Sequence, residues 1–365
     1  MYKWILFSAM LSANAYAVDF QPYIVNGSDT SSATYPSFAS LLYQSSAQYS
    51  TNSFCGASII NSQFILTAAH CIYGKKDTML YTVVVPQLDN VADFPYGNIQ
   101  ISRAAAFYYP STYINSSSAL WRDDIAIIKL ETPLNVADYS ALLNTQLNND
   151  YPAGNNYKAI GHGYVAGNVP NANKQLQETT LTFVSNAVCS AFYGPTLTSK
   201  QICFDGAVSG AYKNSTCSGD SGGPVYWFNG SQYIQIGLTS FGPSLCGDTN
   251  QPITSVFTEL YDYQSWIQRV LTGAEVPKYY VATQNGVRVL IDTQTVAAPQ
   301  EESGGSLSIL GLTLLLLFRF RAHNNFGSSV VVIKNLLGSQ RHLLCGDSVC
   351  HFLYVKQRID AVPVQ

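Results

Sequence analysis

Residues 217–225, CSGDSGGPV, place an acid and a hydroxyl side by side in a bend of small residues, behind a cysteine and ahead of a proline. Such a bend is either a polar surface turn or a site where backbone N–H groups and one serine oxygen are held for chemistry. A serine is a weak nucleophile unless an adjacent base takes its proton, and the base needs a third group to orient it. The chemistry to test for is therefore nucleophilic attack by Ser221.

Two histidines within residues 24–272 are candidates for the base. His162 stands between two glycines in GHGY, with no orienting acid nearby in the sequence. His70 stands in LTAAHC, on a turn of small residues that follows an apolar strand. For the acid, DDIAIIKL offers Asp123 and Asp124 at the start of a strand. Because successive side chains of a strand point to opposite faces, only one of the two is expected to face inward.

The elements that must position these residues are mostly strands. Short apolar runs that alternate with polar residues and are broken by turn residues are typical of an all-β sandwich or barrel. The runs lie at 57–66, 82–85, 125–130, 181–184, 224–227, 233–238 and 253–260. Helical spacing of apolar residues predicts one turn of helix around 68–72 and a longer helix near 261–272.

Composition and cysteine spacing exclude several classes of function. Charged residues are 11% of the chain and the net charge is −3, which leaves no basic surface for nucleic acid. No Cys-x-x-Cys motif and no histidine pair at ligand spacing occurs, so we expect neither a metal nor a cofactor. No oligomer interface is indicated, and we expect a monomer.

The N-terminus predicts export. Lys3 precedes an apolar stretch over residues 4–11, and residues 15–17, Ala-Tyr-Ala, have the spacing of a signal-peptidase site. A buried N-terminal helix is the alternative, and it is disfavoured because the apolar run is short and ends at that site. In an exported chain, the six cysteines between 55 and 246 predict disulfides, although six cysteines allow 15 pairings.

The chain resembles the chymotrypsin-like serine endopeptidases. The resemblance covers residues 24–272 and rests on five motifs in the family's order: IVNG at 24–27, LTAAHC at 66–71, DDIAIIKL at 123–130, GDSGGP at 219–224 and SFG at 240–242. It implies an all-β fold of two six-stranded antiparallel β-barrels, about 24–138 and 139–272, with a short C-terminal helix.

The resemblance implies a role for each residue of the motifs. Ser221 would be the nucleophile, His70 the general base and then acid, and Asp124 the buried carboxylate that orients His70. Asp123 would be a solvated neighbour. The backbone N–H groups of Gly219 and Ser221 would form the oxyanion hole.

Activation is also implied by the resemblance. Cleavage would remove a propeptide, residues 18–23, and the new α-amino group of Ile24 would pair with Asp220. The residue before the cleaved bond is Tyr23, where the family often has Arg or Lys. A protease that cuts after Tyr would be able to release its own Ile24, which suggests self-activation.

The specificity pocket can be located in the same way. Its floor would be Ser215, so the pocket would have no carboxylate to bind a Lys or Arg side chain. Its walls would include Gly242 and Ser255, with Ser240 and Phe241 beside them. An open, uncharged slot suits Phe, Tyr, Leu or Met before the cleaved bond. Ser255 stands where the family often has Gly and would narrow the slot toward the small apolar residues that elastase-like enzymes prefer. The implied disulfides are Cys55–Cys71, Cys189–Cys203 and Cys217–Cys246.

The C-terminal part of the sequence predicts a surface or release signal. Residues 273–302 contain one alternating run, 287–291, and are expected to form a short extension and stalk. Residues 303–321 hold a Gly-Gly pair, an apolar run and two arginines, and resemble the sorting tails of exported proteins of Gram-negative bacteria. The run at 306–318 is shorter than a stable membrane span, so transient membrane association and cleavage by an intramembrane sorting protease are expected, with a weak permanent anchor as the alternative. Residues 322–365 remain unassigned.

These observations predict a secreted serine endopeptidase that acts on protein or peptide substrates after apolar or aromatic residues. The alternative is a catalytically silent binding protein or adhesin on the same fold.

Overall fold

A computed structural model describes residues 24–136, 151–154, 157–165, 169 and 174–295, together with the backbone of 343–346 and 349–352. The signal peptide, the propeptide and the Gly-Gly tail predicted above lie outside the described residues. The chain divides into two compact units, Met1–Val296 and Ala297–Gln365. In the second unit, two strands pair antiparallel with Cys345 opposite Cys350.

A two-residue strand, β1 (Ser28–Asp29), comes first and pairs with the second of two barrels. Six strands then form the first barrel, with hydrogen bonding in the order β2-β3-β4-β7-β6-β5 and back to β2. They are β2 (Phe38–Tyr43), β3 (Cys55–Asn61), β4 (Phe64–Thr67), β5 (Thr82–Pro86), β6 (Ser102–Tyr108) and β7 (Ala126–Leu130).

The second barrel is built in the same way, in the order β8-β9-β10-β15-β14-β13 and back to β8. Its strands are β8 (Tyr157–Gly161), β9 (Gln177–Val184), β10 (Gln201–Gly206), β13 (Pro224–Phe228), β14 (Tyr233–Phe241) and β15 (Ser255–Glu259). A small separate ribbon consists of β11 (Val208–Ser209) and β12 (Tyr212–Lys213). The predicted fold of two closed six-stranded antiparallel barrels is confirmed.

The runs of β-branched residues explain why strands form with apolar side chains on both faces. In β5, TVVVP, every residue is buried. Val84 points into the core of the first barrel, whereas Val83 and Val85 pack with Leu42 and Leu88 in a second apolar cluster. Such a strand fits only a sheet that is covered on both sides.

In the described part of the chain, four α-helices connect or cover the strands: α1 (Ala69–Ile72), α2 (Lys76–Tyr81), α3 (Asn186–Tyr193) and α4 (Gln264–Leu271). The predicted short C-terminal helix is confirmed as α4. Its Trp266, Ile267 and Val270 are buried in a cluster that includes Ile127 of the first barrel and Leu238 of the second. This cluster joins the two barrels, at whose junction the candidate site lies. Among the described residues, no helix has the length and apolar character needed to cross a membrane.

The extension after α4 differs from the prediction. A single strand near 287–291 was expected, but the structure has an antiparallel hairpin of β16 (Tyr279–Gln284) and β17 (Val287–Asp292). The end of the predicted stalk, 296–302, lies outside the described residues. Strand β16 pairs with β6, so the hairpin enlarges the sheet of the first barrel. Alternation in the sequence showed one strand, but it did not show the partner strand or the edge to which the pair attaches.

Candidate active site

His70 is held by a short helix directly after β4. Its Nδ1 lies 2.8 Å from Asp124 Oδ2, and its backbone N–H donates to Asp124 Oδ1 at 2.9 Å. The carboxylate of Asp124 therefore binds both the ring and the main chain of His70. The His70 side chain is 19% exposed and that of Asp124 is fully buried. With Nδ1 bound to the carboxylate, the tautomer that donates from Nδ1 leaves Nε2 as the proton acceptor.

Asp124 precedes β7 of the first barrel but is also bound by the second barrel. Ser240 Oγ of β14 donates to Asp124 Oδ2 at 2.5 Å, and Thr258 Oγ1 of β15 donates to the Asp124 carbonyl oxygen at 2.8 Å. Together with the two donors of His70, the hydrogen bond from Ser240 satisfies a carboxylate that has no access to solvent, while Thr258 fixes the main chain of Asp124. Hydrogen bonds to an ionised carboxylate are the condition under which burial of that charge is tolerated.

Asp123 is buried and was wrongly predicted to be solvated. It is 6% exposed, and its Oδ1 accepts from Tyr263 Oη at 2.6 Å and from Lys200 Nζ at 3.2 Å. Burial acts to raise the pKa of Asp123, but hydrogen bonds from Thr112, Tyr263 and Lys200 hold it below its usual value. The expectation assumed the alternation of a regular strand. Asp123 instead precedes the strand and has a left-handed φ of 56°, which turns its side chain toward the second barrel.

Ser221 is half-buried, and its bend packs against the residues that lead to His70. The Gly56 N–H of β3 donates to the Ser221 carbonyl oxygen at 2.8 Å, and Cys71 Sγ lies 3.7 Å from that oxygen. A Cβ on Gly222, whose φ is 72°, would overlap Thr67 Oγ1 and lie 2.8 Å from the Ala68 nitrogen. Only a glycine allows this close approach, which brings Ser221 of the second barrel beside the helix that carries His70.

The bend also presents two N–H groups. Gly219 has a φ of 103°, and a Cβ there would lie 2.8 Å from the Gly163 Cα. Among the described residues, the N–H groups of Gly219 and Ser221 donate to no protein acceptor, whereas their neighbours Asp220 and Gly222 do donate. Two free donors on either side of one residue are suited to receive an oxyanion.

Asp220 points away from solvent, into the second barrel. It is fully buried, and it accepts from the Gly163 N–H at 2.8 Å and from the Cys217 N–H at 2.9 Å. No ion pair involves Asp220 within the described part of the chain. Burial raises the pKa of Asp220 to about 7, and the two N–H donors only partly oppose this.

The IVNG segment lies close to Asp220. Ile24 and Val25 are fully buried. Val25 exchanges two backbone hydrogen bonds with Ser215, at 3.1 and 3.3 Å, and its side chain packs against Cys217, whose N–H binds Asp220. The two residues that the sequence paired for activation, Ile24 and Asp220, are therefore in the same part of the second barrel.

The predicted pocket residues come together, with one residue that the sequence did not single out. Ser215 is buried, with its Oγ 2.9 Å from the Thr254 carbonyl oxygen. Ser255 is also buried, and its Oγ accepts from the Thr216 N–H at 3.0 Å and from Thr216 Oγ1 at 2.9 Å. A Cβ on Gly242 would lie 2.8 Å from the Thr254 carbonyl oxygen. Thr216 follows the predicted floor residue, but its contact across to β15 has no signal in the sequence.

An aromatic cluster next to Asp124 was also not predicted from the sequence. The rings of Trp121 and Tyr193 each lie 5.4 Å from the ring of Phe241, which follows Ser240. Trp121 has a left-handed φ of 45° and Tyr193 ends α3, so the three rings come from distant parts of the sequence. They form a half-buried apolar surface beside the Asp124 hydrogen bond.

His162 is not part of this site. Its ring contacts Phe38 and its Nδ1 lies 3.3 Å from Ser40 Oγ, both in β2. Burial lowers the pKa of His162 to about 4. A neutral buried imidazole with partners in the opposite barrel fits a structural role.

Three disulfides brace the site, at the pairs implied by the resemblance: Cys55–Cys71, Cys189–Cys203 and Cys217–Cys246. The first joins β3 to α1 beside His70, and the third lies beside Asp220. Among the described residues, the group close enough to bind a metal ion is Cys55, His70 and Cys71. Because its two sulfurs are bonded to each other, this group does not supply the thiolates that a metal needs.

Two comparisons with known proteins agree with this geometry. Residues 24–267 match the family model described as Trypsin. The chain is also 33% identical over 218 residues to "Serine protease SSP1" of Scolopendra subspinipes. The aligned region covers 59% of this chain and 72% of the relative.

Proposed function

The chain belongs to the trypsin family of serine proteases, and from this premise we propose that it is a secreted serine endopeptidase that works through an acyl-enzyme. The observation that carries the proposal is the 2.8 Å contact between His70 Nδ1 and the buried Asp124 Oδ2. This contact fixes the ring so that Nε2 is the free nitrogen, in a helix against which the Ser221 bend is packed.

In the proposed reaction, Ser221 Oγ attacks the carbonyl carbon of the peptide bond while His70 Nε2 takes its proton. The N–H groups of Gly219 and Ser221 receive the negative charge that forms on the carbonyl oxygen. His70 then gives the proton to the leaving amine, and the acyl group stays on Ser221. A water molecule, deprotonated by His70, attacks the acyl carbon, the bond to Ser221 Oγ breaks to release the new carboxyl end, and His70 returns the proton to Ser221 Oγ. Asp124 keeps its charge throughout and stabilises the protonated ring.

We further propose that the residue before the cleaved bond is uncharged and apolar, because the floor at Ser215 carries no carboxylate. The two alternatives from the sequence, a wide slot for aromatic side chains and a narrow one for small apolar side chains, differ at Ser255. The hydrogen bonds from Thr216 hold the Ser255 hydroxyl beside the floor residue Ser215, where glycine would leave more room, and this supports the narrower slot.

A peptide library that varies only the residue before the cleaved bond tests this choice. A narrow slot predicts cleavage after Ala and Val, and a shift toward Phe and Tyr in the Ser255→Gly variant. If the unsubstituted protein prefers Phe and Tyr, the narrow slot is wrong. If it cuts after Lys or Arg, both alternatives are wrong. Ser221→Ala is the control for contaminating proteases.

Activation is proposed to follow cleavage between Tyr23 and Ile24. Support comes from a fully buried Asp220 with a raised pKa, near the buried Ile24 and Val25. A new α-amino group from Ile24 would supply the cation that Asp220 lacks. Self-activation requires a slot that accepts Tyr and therefore competes with the narrow slot. If a precursor with Ser221→Ala is still fully processed without added protease, self-activation is wrong.

The proposed location is outside the cytoplasm. Three disulfides suit an oxidising compartment, to which residues 1–17 would direct the chain. The Gly-Gly tail at 303–321 would then be cut by a sorting protease and leave the protein released or attached to the cell surface. Mass spectrometry of the mature chain ends tests this: retention of residues 1–17 or of the intact tail on the exported protein would contradict it.

A further inference from the structure

The hairpin of β16 and β17 lies after the residues that match the family model, 24–267. It is joined to the first barrel along β6, where Tyr279 pairs with Phe107 and Tyr280 pairs with Ala106. The backbone N–H of Lys278 adds a hydrogen bond of 2.8 Å to the Phe107 carbonyl oxygen. Six residue pairs connect its two strands, from Tyr279–Asp292 to Gln284–Val287.

Side chains anchor the hairpin on both of its strands. Val281 and Leu290 pack against the core of the first barrel. Arg288 forms an ion pair with Glu131, and its Nη2 donates to the Ala104 carbonyl oxygen at 3.2 Å. The hairpin is therefore packed into the barrel through both apolar and charged contacts.

Tyr279 is the hairpin residue that reaches toward the catalytic helix. It packs on the same core cluster as Ala69, Cys71 and Ile72, which belong to α1. Burial, followed by the nearby charge of Asp292, raises the pKa of Tyr279, whose hydroxyl also interacts with Tyr109. Burial is the main cause of the raised pKa of Tyr109, and the hydroxyl of Tyr279 raises it further.

Tyr109 in turn contacts the end of α1. Tyr73 directly follows this helix, and its N–H donates to the Ala69 carbonyl oxygen at 2.8 Å. The Tyr73 ring lies 5.4 Å from the ring of Tyr109 and 5.2 Å from that of Tyr113, edge to face. Burial, followed by the charge of Asp124, raises the pKa of Tyr113. The ring contacts thus connect the hairpin to Tyr73, the residue that directly follows the helix carrying His70.

The hairpin also holds the start of α2. Lys76, the first residue of that helix, has its Nζ 3.7 Å from Asp292 Oδ2 and 5.6 Å from the centre of the Tyr279 ring. The chain between His70 and α2 is therefore held at Tyr73 through Tyr109, and at Lys76 through Asp292 and Tyr279. Because α1 has only four residues, its position is set by its contacts, which are the disulfide at Cys71, the Asp124 hydrogen bonds to His70 and these contacts just after its end.

We propose that the C-terminal hairpin is a working part of the catalytic unit and that Tyr279 is a positioning residue for His70. The inference rests on the proposed function, in which His70 is the base. Loss of Tyr279 frees Tyr109 and one side of Lys76, so that α1 shifts relative to the Ser221 bend. Small displacements of a catalytic group cost up to roughly 100-fold in rate. Because Tyr279 acts on α1 only through intermediate residues, its loss is expected to lower the rate about tenfold.

The test compares Tyr279→Ala, Tyr279→Phe and Asp292→Asn with Tyr280→Ala in the full, matured chain. Tyr280 is the matched control because it is the next residue of β16, also a tyrosine, and 40% exposed. Active sites are counted by titration with a serine-directed phosphonate, so that unfolded protein does not enter kcat. Hydrogen exchange of the peptide that covers residues 69–76 is measured on the same samples.

We expect kcat per titrated site to fall about tenfold in Tyr279→Ala, with KM within about twofold and faster exchange over residues 69–76. Tyr279→Phe keeps the ring but loses the hydroxyl that interacts with Tyr109 and Asp292, so its kcat is expected to fall between those of Tyr279→Ala and the unsubstituted protein. Asp292→Asn is expected to show a similar partial loss, and Tyr280→Ala is expected to match the unsubstituted protein. If Tyr279→Ala fails to fold, Asp292→Asn carries the test. Unchanged kcat per site and unchanged exchange in the Tyr279 and Asp292 variants would overturn the inference, as would an equal fall in Tyr280→Ala. An unsubstituted protein that neither reacts with the phosphonate nor cuts peptides would overturn the proposed function, and the exchange data would still show whether the hairpin holds α1.

Discussion

The charge of Asp220 in the uncleaved chain gives a prediction whose sign and size follow from the structure. Asp220 is fully buried and hydrogen-bonded to two backbone N–H groups, and burial raises its pKa from 3.8 to about 7. The perturbation is Asp220→Asn in a precursor that also carries Ser221→Ala, so that the chain does not process itself. The assay is urea unfolding between pH 5 and pH 8.

The pH dependence follows from proton linkage. Because the folded pKa of Asp220 lies above the unfolded value, the folded state binds the proton more tightly. The stability that this group contributes is fully present below about pH 4 and is lost as the pH rises through 7. Between pH 5 and pH 8 the loss amounts to about 3 kcal/mol, at about 1.4 kcal/mol for each pH unit below the folded pKa.

The asparagine variant does not titrate and should lack this slope. Its amide keeps an acceptor for one N–H group but turns a donor toward the other, which costs about 1–3 kcal/mol at every pH. We therefore expect Asp220→Asn to be the less stable precursor at pH 5, and to equal or exceed the Asp220 precursor at pH 8. All other titrating groups are shared, so the difference between the two proteins isolates Asp220.

Cleavage before Ile24 should reverse this result. The new α-amino group is expected to pair with Asp220, lower its pKa and make Asp220→Asn destabilising at neutral pH, with loss of activity. A difference between the two precursors that stays constant from pH 5 to pH 8 would refute the reasoning. It would mean that a cation already pairs with the charged Asp220 in the uncleaved chain and keeps its pKa below this pH range.

Three further substitutions test other contacts of the site. Ser240→Ala removes the 2.5 Å hydrogen bond to Asp124. It is expected to lower kcat/KM roughly tenfold or more, because hydrogen bonds to charged groups are worth about 1.5–3 kcal/mol. An unchanged kcat/KM would show that the bond is not needed. Gly222→Ala places a Cβ against the residues that lead to α1 and is expected to remove peptide hydrolysis while circular dichroism still shows a folded protein, so full activity would contradict the packing. Lys200→Met leaves buried Asp123 without its cation and is expected to lower the free energy of unfolding by about 1 kcal/mol at pH 7. That loss should disappear in acid, as Asp123 becomes protonated in both proteins; a difference that persists there would have another cause.

The motifs that carry the catalytic residues were predictable because the residues of each motif are neighbours in the sequence. The acid and glycines around Ser221, the helix turn at His70 and the strand after Asp124 each follow from a few neighbouring residues. The rhythm of apolar runs likewise predicted an all-β sandwich or barrel, since strands of a packed sheet bury alternate or all positions, whereas the two six-stranded barrels were implied by the family resemblance.

Features that depend on long-range approach were not predictable. Asp123 is buried because its φ is left-handed, which no residue type at that position requires. The contact of Thr216 with Ser255 joins side chains 39 residues apart. Likewise, nothing in the sequence of the extension indicates that Tyr279 meets Tyr109 across β6.

The central claim is that His70, oriented by Asp124, activates Ser221 in the processed protein. The most direct measurement is the rate at which a peptidyl phosphonate forms a covalent adduct, with the modified residue identified by mass spectrometry. The account predicts a single adduct on Ser221, none in Ser221→Ala, and a rate reduced by roughly 10⁴ in Asp124→Asn and by up to roughly 10⁶ in His70→Ala. A processed protein with no adduct on Ser221, or one that reacts equally fast without the imidazole, would contradict it.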